Sequence, residues 1–209
     1  MALKVKAQEK LQKIGTHGRL EIPMGFLALV LKNLPLLLLV LKNKTANCLG
    51  IIANCTTFAG DMEKIETYKL LTEQIKSLTQ GETDEVAKMA NIAAVIHEAM
   101  GFWWTGFYRV KNGELVLGPF QGPVACMHIG YGKGVCGTAW KQGQTIVVPD
   151  VELFPGHIAC SSESRSEIVV PVLNEAGEIT AVLDIDSREL ATFDEVDKQW
   201  LEEIVKVMK

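Results

Sequence analysis

Two pairs of strand-like segments, each joined by a tight turn, constrain the fold of this chain more than any other feature. Residues 102–110 and 114–117 are rich in aromatic and branched side chains, and the turn between them contains Asn112 and Gly113. A second pair spans residues 168–185 and turns at 174–177, where the sequence is Asn-Glu-Ala-Gly. Turns this short join antiparallel neighbours, whereas parallel strands need a long crossover. The sequence therefore predicts antiparallel pairs rather than a doubly wound parallel sheet.

Amphipathic segments surround these strands. Apolar residues recur at three- and four-residue steps over residues 65–78, and Asp84 offers a cap for a second helix. A short helix is expected at 134–141 and a last one from about Asp194, with short strands at 124–129 and 145–148. This order predicts a mixed α+β fold in which helices flank a central antiparallel β-sheet.

The first 61 residues differ from the rest in charge. They carry a net charge of +5, whereas residues 62–209 carry −9. Their apolar runs are interrupted by Lys32 and Pro35 and are too short for a membrane span. We interpret residues 1–61 as a hydrophobic, basic N-terminal extension, accessory or non-native, and residues 62–209 as a separate domain.

Composition limits the partners and the compartment of this chain. The net charge of −4 and the lack of any basic cluster with interleaved aromatic residues argue against nucleic acid. The chain has five cysteines but no CxxC pair, and its N-terminus is a poor match to a signal peptide. These features predict reduced thiols and a cytoplasmic protein.

Three of the cysteines lie in loop-like sequence. Cys126, Cys136 and Cys160 are surrounded by glycine, proline and small residues, where a thiol has little hydrophobic core to join. This placement indicates chemistry rather than packing. The Pro-Gly turn before Cys160 can hold a thiol at a pocket mouth, and His157 is close enough in sequence to lower its pKa.

Two other motifs in the sequence are weak signals of a bound cofactor or metal. Residues 132–137 match GxGxxG, but no βαβ unit or downstream acid supports a dinucleotide site. The three loop cysteines with His128 and His157 contain zinc-type ligands, but no two of them have the spacing of a known ligand pair. We therefore expect no bound metal.

Acidic and aromatic residues mark the strands themselves. Asp184 and Asp186 are two residues apart, so they share one face of a strand, either towards solvent or lining a pocket for an amine. Trp104 and Tyr108 belong to an aromatic cluster that either fills the core or walls a small ligand pocket. The residues alone leave both alternatives open.

Three motifs together are diagnostic of a family. They are residues 118–126 (GPFQGPVAC), 132–138 (GKGVCGT) and 154–160 (FPGHIAC), with cysteines ten and then twenty-four positions apart. This pattern resembles the GAF-domain family of free methionine-(R)-sulfoxide reductases. The resemblance covers residues 62–209 and implies a GAF-like sheet.

The resemblance also implies a thiol cycle. Cys160 would attack the sulfoxide and become a sulfenic acid, Cys126 would resolve it as a disulfide, and Cys136 would be a secondary thiol. A thioredoxin-like protein would then restore the thiols. No metal or organic cofactor is implied.

Further roles follow for the acids and aromatic residues. Glu167 would contact the sulfoxide oxygen as a neutral acid, and Asp184 and Asp186 would hold the substrate ammonium group. Trp104 and Tyr108 would enclose the S-methyl end. A homodimer is compatible with the family and with the amphipathic first helix. The alternatives are a GAF module that senses a small ligand without turnover, and a redox switch that uses the same thiols.

Overall fold

Capping side chains determine where two helices begin. In the computed structural model, which describes residues 48–158 and 162–209, the Asp84 carboxylate accepts hydrogen bonds from two backbone N–H groups and starts a helix at Glu85. Asp194 starts another helix at Glu195, and Asp197 accepts in return from the Asp194 N–H, which completes a capping box. Both predicted helix starts are confirmed.

The described residues form four α-helices and six strands. The helices are α1 (Cys48–Thr79), α2 (Glu85–Met100), α3 (Gly134–Gln142) and α4 (Glu195–Ile204), with 3-10 turns at Val151–Leu153 and Val205–Met208. The strands are β1 (Trp104–Lys111), β2 (Glu114–Gln121), β3 (His128–Gly130), β4 (Ile146–Val148), β5 (Ser166–Leu173) and β6 (Ile179–Ser187).

All six strands belong to one sheet in the order β3-β2-β1-β6-β5-β4, and every neighbouring pair is antiparallel. The predicted antiparallel sheet is therefore confirmed. The two hairpins β1–β2 and β5–β6 meet through β1 and β6, so the last strand lies at the centre.

The strand predicted at 124–129 is wrong in its first part. Only His128–Gly130 pairs with β2. The preceding backbone carbonyls of Pro123 and Cys126 accept hydrogen bonds from the side chains of Trp104 and Tyr108. Side-chain donors thus hold this backbone as a loop.

The two faces of the sheet bury different cores. Helices α1, α2 and α4 cover one face, where Phe107 of β1 and Leu183 of β6 are fully buried among helical side chains. Helix α3 and the connecting loops cover the other face, where Cys136 packs against the β1 and β6 side chains. Because strand residues alternate between faces, β1, β4, β5 and β6 contribute to both cores.

The predicted extension is only partly within the described residues. Residues 1–47 lie outside them, α1 begins at Cys48, and residues 55–209 form one compact unit. The boundary at residue 62 stays a prediction. Among the described residues, no helix has the length and apolar character needed to cross a membrane.

A buried polar cluster joins α1 to α4. Asp197 is fully buried, accepts a hydrogen bond of 2.8 Å from the Tyr68 hydroxyl, and forms an ion pair with Lys64. Removing a buried charge partner leaves the remaining polar groups without compensation. The cluster therefore stabilises the packing of the two helices only when all three side chains are present.

We expect Asp197→Ala to lower the free energy of unfolding by about 2–4 kcal/mol, measured by urea denaturation. Glu66→Ala is the control, because it breaks an exposed ion pair with Lys69 that is worth about 0.5 kcal/mol or less. A loss in Asp197→Ala no larger than in the control would contradict a stabilising role for the cluster.

Candidate active site

Strand register gathers three carboxyl groups on one face of the sheet. Glu167 of β5 lies opposite Asp186 of β6, and Val169 lies opposite Asp184. Side chains two residues apart on a strand point the same way, so all three acids face the side covered by α3. Glu167 and Asp184 are each only 6% exposed. Of the two sequence alternatives for Asp184, the pocket-facing one is therefore the observed one.

Strand β1 adds an aromatic wall on the other side of β6. Trp104 lies opposite Asp186 and Gly106 opposite Asp184. The Trp104 ring is stacked at 6.0 Å from Tyr108, between ring centroids. A Cβ at Gly106 would lie 2.5 Å from a Trp104 ring atom and 2.4 Å from the Phe120 Cβ. Glycine at this position therefore allows the indole to lie across the strand beside the acids.

Helix α3 brings a thiol to the same face. The Cys136 Sγ is buried, belongs to a free cysteine and lies 3.9 Å from the Glu167 Oε1. A Cβ at Gly137 would lie 2.4 Å from the Gly130 carbonyl oxygen, so only glycine lets α3 pack this closely on β3. This close packing turns Cys136 towards the carboxyl groups.

The aromatic wall also holds the loop that carries the second thiol position. The Tyr108 hydroxyl donates to the Cys126 carbonyl oxygen at 3.0 Å, and the Trp104 Nε1–H donates to the Pro123 carbonyl oxygen at 3.0 Å. Cys126 is disulfide-bonded. Cys160, the predicted nucleophile, lies in residues 159–161, outside the described residues, so its role stays a prediction.

These groups surround one narrow cavity. Its volume, including the part that opens to solvent, is about 540 Å³. Its lining includes six of the eight predicted site residues, namely Trp104, Tyr108, Cys136, Glu167, Asp184 and Asp186. The cavity therefore accepts only a small ligand, with acidic groups on one side and aromatic rings on the other.

Burial raises the pKa of all three acids. Burial is the largest cause that raises the pKa of Glu167 and of Asp184 well above the usual carboxyl range, and the neighbouring carboxylates raise both further. Burial raises the pKa of Asp186 to about 6, although a hydrogen bond from Ser164 opposes the shift. The cavity thus favours protonated acids when it is empty and would favour their charged forms beside a cation.

Two further observations define what the cavity can do. Burial, followed by the charges of Asp184 and Glu167, raises the pKa of the Cys136 thiol, so this group stays protonated at neutral pH and is a weak nucleophile. The Asp184 Oδ1 is buried and has no hydrogen-bond partner among the described residues. An oxygen of this kind is ready to accept a donor from a ligand.

The loop cysteines and the two histidines with zinc-type side chains do not form a cluster among the described residues. His128 is exposed on β3, and its Nδ1 lies 3.0 Å from the Glu114 Oε1, away from the cavity lining. A different group is close together. Ligand atoms of Cys136, Glu167 and Asp184 all lie within 4.8 Å of one another.

Sequence reasoning missed two contributors. Ser164 lines the cavity and hydrogen-bonds Asp186, but a serine in a loop gives no distinguishing signal. The Arg188 guanidinium lies 3.3 Å from the centre of the Trp103 ring, which is also part of the lining. The adjacent tryptophans Trp103 and Trp104 could have indicated the aromatic ring from the sequence. No sequence signal indicated that Arg188 contacts it.

Comparisons with known proteins cover this part of the chain. A protein-family model for the GAF domain matches residues 82–208, which contain all six described strands. The chain is 53% identical over 146 residues to GAF domain-containing protein A of Dictyostelium discoideum, covering 69% of this chain and 92% of that protein. It is 40% identical over 164 residues to free methionine-R-sulfoxide reductase of Saccharomyces cerevisiae, covering 75% of this chain and 91% of the yeast protein.

A solved structure agrees with these sequence matches. The free methionine-R-sulfoxide reductase from Neisseria meningitidis, in complex with its substrate, aligns with a TM-score of 0.67 and 53% sequence identity. The alignment covers 69% of this chain and 87% of that chain. The similarity thus includes the backbone fold as well as the sequence.

Proposed function

Because this chain belongs to the GAF-domain family, as a relative of the free methionine-R-sulfoxide reductases, we propose that it reduces free methionine-(R)-sulfoxide to methionine through a thiol cycle. One observation carries the proposal. One narrow cavity combines two buried carboxyl groups, Glu167 and Asp184, and the partly buried Asp186 with two stacked aromatic rings, and the loop along its wall carries a disulfide-bonded cysteine.

Asp184 and Asp186 bind the substrate ammonium group in this proposal. Their pKa values are raised in the empty cavity, and an ammonium ion beside them favours the carboxylate forms. Trp104 and Tyr108 contact the S-methyl end with their ring faces. A peptide-bound methionine lacks the ammonium charge and carries extra bulk, so a cavity this small selects the free amino acid.

Glu167 acts as the general acid. Its pKa is raised by burial and by the two aspartates, which favours the protonated form, and this form can donate its proton to the sulfoxide oxygen. Protonation withdraws electrons from sulfur and makes it electrophilic. The same arrangement keeps Cys136 protonated, which favours a different cysteine as nucleophile.

Cys160 supplies the nucleophile and Cys126 the resolving thiol. The Cys160 thiolate takes the oxygen, and with one proton from Glu167 the products are methionine and a Cys160 sulfenic acid. The Cys126 thiol then attacks that sulfur, a disulfide forms, and water leaves. The disulfide-bonded state of Cys126 supports this assignment. A thioredoxin-like dithiol returns both cysteines to thiols while it becomes a disulfide itself.

The experiment incubates the protein with a thioredoxin system and the separated epimers of free methionine sulfoxide. We expect consumption of the R epimer alone, and far slower reaction with an N-acetylated or peptide-bound substrate. Equal consumption of both epimers would contradict the cavity's selectivity. Binding of the R epimer without turnover would instead favour a ligand sensor.

A further inference from the structure

The proposed reaction leaves one buried group without a chemical role. Cys136 is a free thiol inside the cavity, and the thiol cycle of Cys160 and Cys126 does not use it. A buried thiol beside two acids is unusual packing. Each acid raises the pKa of the thiol, and the neutral thiol provides neither acid with a charge partner. The arrangement matches the donor set that borderline-soft cations prefer.

The three side chains already lie near ligand distance of one another. A tetrahedral Zn²⁺ with sulfur at about 2.3 Å and oxygen at about 2.0 Å holds those two atoms about 3.5 Å apart. The Cys136 Sγ and Glu167 Oε1 are 3.9 Å apart, and the ligand atoms of all three residues lie within 4.8 Å of one another. Small side-chain movements would therefore complete a three-ligand site.

A second observation points to a missing ligand at this place. The Asp184 Oδ1 has no hydrogen-bond partner among the described residues, although the residue is only 6% exposed. A buried carboxylate oxygen in this state costs free energy until a cation or donor reaches it. The cavity that it lines gives a small ion access.

We propose that Cys136, Glu167 and Asp184 form a binding site for Zn²⁺ that occupies the cavity in place of the substrate. The ion displaces the thiol proton, and no electron transfer occurs. Water fills the fourth position, as in other three-ligand zinc sites. The thiolate selects Zn²⁺ over Mg²⁺ and Ca²⁺, which prefer oxygen ligands alone. Zinc binding stands on the geometry, whereas its inhibition of turnover rests on the proposed function.

Direct binding tests the site without turnover. Full-length protein with Cys48→Ser and Cys55→Ser is kept in its disulfide form, so that Cys126 offers no thiolate, and is titrated with Co²⁺. We expect saturable binding with a thiolate-to-cobalt absorption band, displacement by Zn²⁺ and no displacement by Mg²⁺. Cys136→Ser should remove the band and weaken binding at least about 100-fold, since loss of even an outer-shell partner costs about 10–100-fold.

Matched variants separate this site from others. His128→Ala removes an exposed imidazole beside Glu114 and should leave the affinity unchanged, whereas Asp184→Asn should weaken it at least about 10-fold. Asp184→Asn also decides the outcome if Cys136→Ser does not fold. A band that survives in Cys136→Ser, or binding that is lost in His128→Ala, would overturn the proposal.

Competition tests the shared cavity. Free methionine should raise the apparent Kd for Co²⁺, and Zn²⁺ should raise the apparent KM for the sulfoxide without lowering kcat. Co²⁺ binding that methionine does not affect would overturn the shared position. If the protein reduces no sulfoxide at all, the proposed function fails, while the cobalt titration still reports on the metal site.

Discussion

Replacing Cys160 with serine is expected to lower the turnover of free methionine-(R)-sulfoxide at least about 1,000-fold, as seen when nucleophiles are removed from other enzymes. A serine hydroxyl stays protonated at neutral pH and cannot take up the sulfoxide oxygen as a thiolate does. Steady-state assays with a thioredoxin system and quantified methionine provide the measurement. Cys48→Ser and Cys55→Ser, which lie outside the family motifs, serve as matched thiol controls.

A companion variant distinguishes attack from resolution. Cys126→Ser should release about one methionine per protein molecule in a single turnover and then stop, because no disulfide can form. Full activity in Cys160→Ser together with lost activity in Cys136→Ser would move the nucleophile to the buried thiol. That result would contradict the protonated state assigned to Cys136.

Asp184→Asn is expected to have opposite effects on binding and on stability. Loss of one carboxylate from a buried charge contact costs about 2–5 kcal/mol of binding, so KM should rise at least about 30-fold. The free energy of unfolding should increase at the same time. The reason is that asparagine removes a carboxyl group that the empty protein buries without a charge partner.

The pH dependence gives the sign of the stability effect. Burial raises the folded-state pKa of Asp184 above its unfolded value, so between these two pKa values the folded protein holds a proton that the unfolded chain has lost. Stability from this group is therefore present below the unfolded pKa and decreases as pH rises towards the folded pKa. Asp184→Asn should flatten that decrease in thermal unfolding curves recorded from pH 4 to pH 8.

A substitution outside the cavity controls for general effects of an amide. Asp61 lies on α1, away from the cavity lining, and Asp61→Asn should leave KM unchanged. An Asp184→Asn protein that is less stable than wild type at pH 7 would show that the carboxylate is compensated in the empty cavity. The assigned charge balance would then be wrong.

Local patterns in the sequence were sufficient to predict the antiparallel hairpins of the sheet and the shared orientation of two acidic site residues. Short turns at 111–113 and 174–177 predicted both hairpins, and a two-residue spacing predicted that Asp184 and Asp186 share a face. These features depend on neighbours along the chain, so periodicity and turn chemistry report them directly. The family motifs supplied the remaining candidates.

Other parts of the site depend on contacts between distant segments. The approach of Cys136 to Glu167 requires α3 to pack on the sheet, and the pairing of β1 with β6 joins segments about 80 residues apart. No local pattern encodes either contact. The loop before β3 was mistaken for strand because its backbone partners are side chains from β1 rather than a neighbouring strand.

The two hydrogen bonds from the aromatic wall to this loop tie two parts of the cycle to the same residues. Trp104 and Tyr108 face the cavity with their rings and hold the Cys126 loop with their polar ends. A substitution that reshapes the cavity for another side chain therefore also displaces the loop that carries the disulfide. If the proposed thiol cycle holds, substrate preference at these two positions cannot change independently of thiol recycling, so new specificity has to arise elsewhere in the lining.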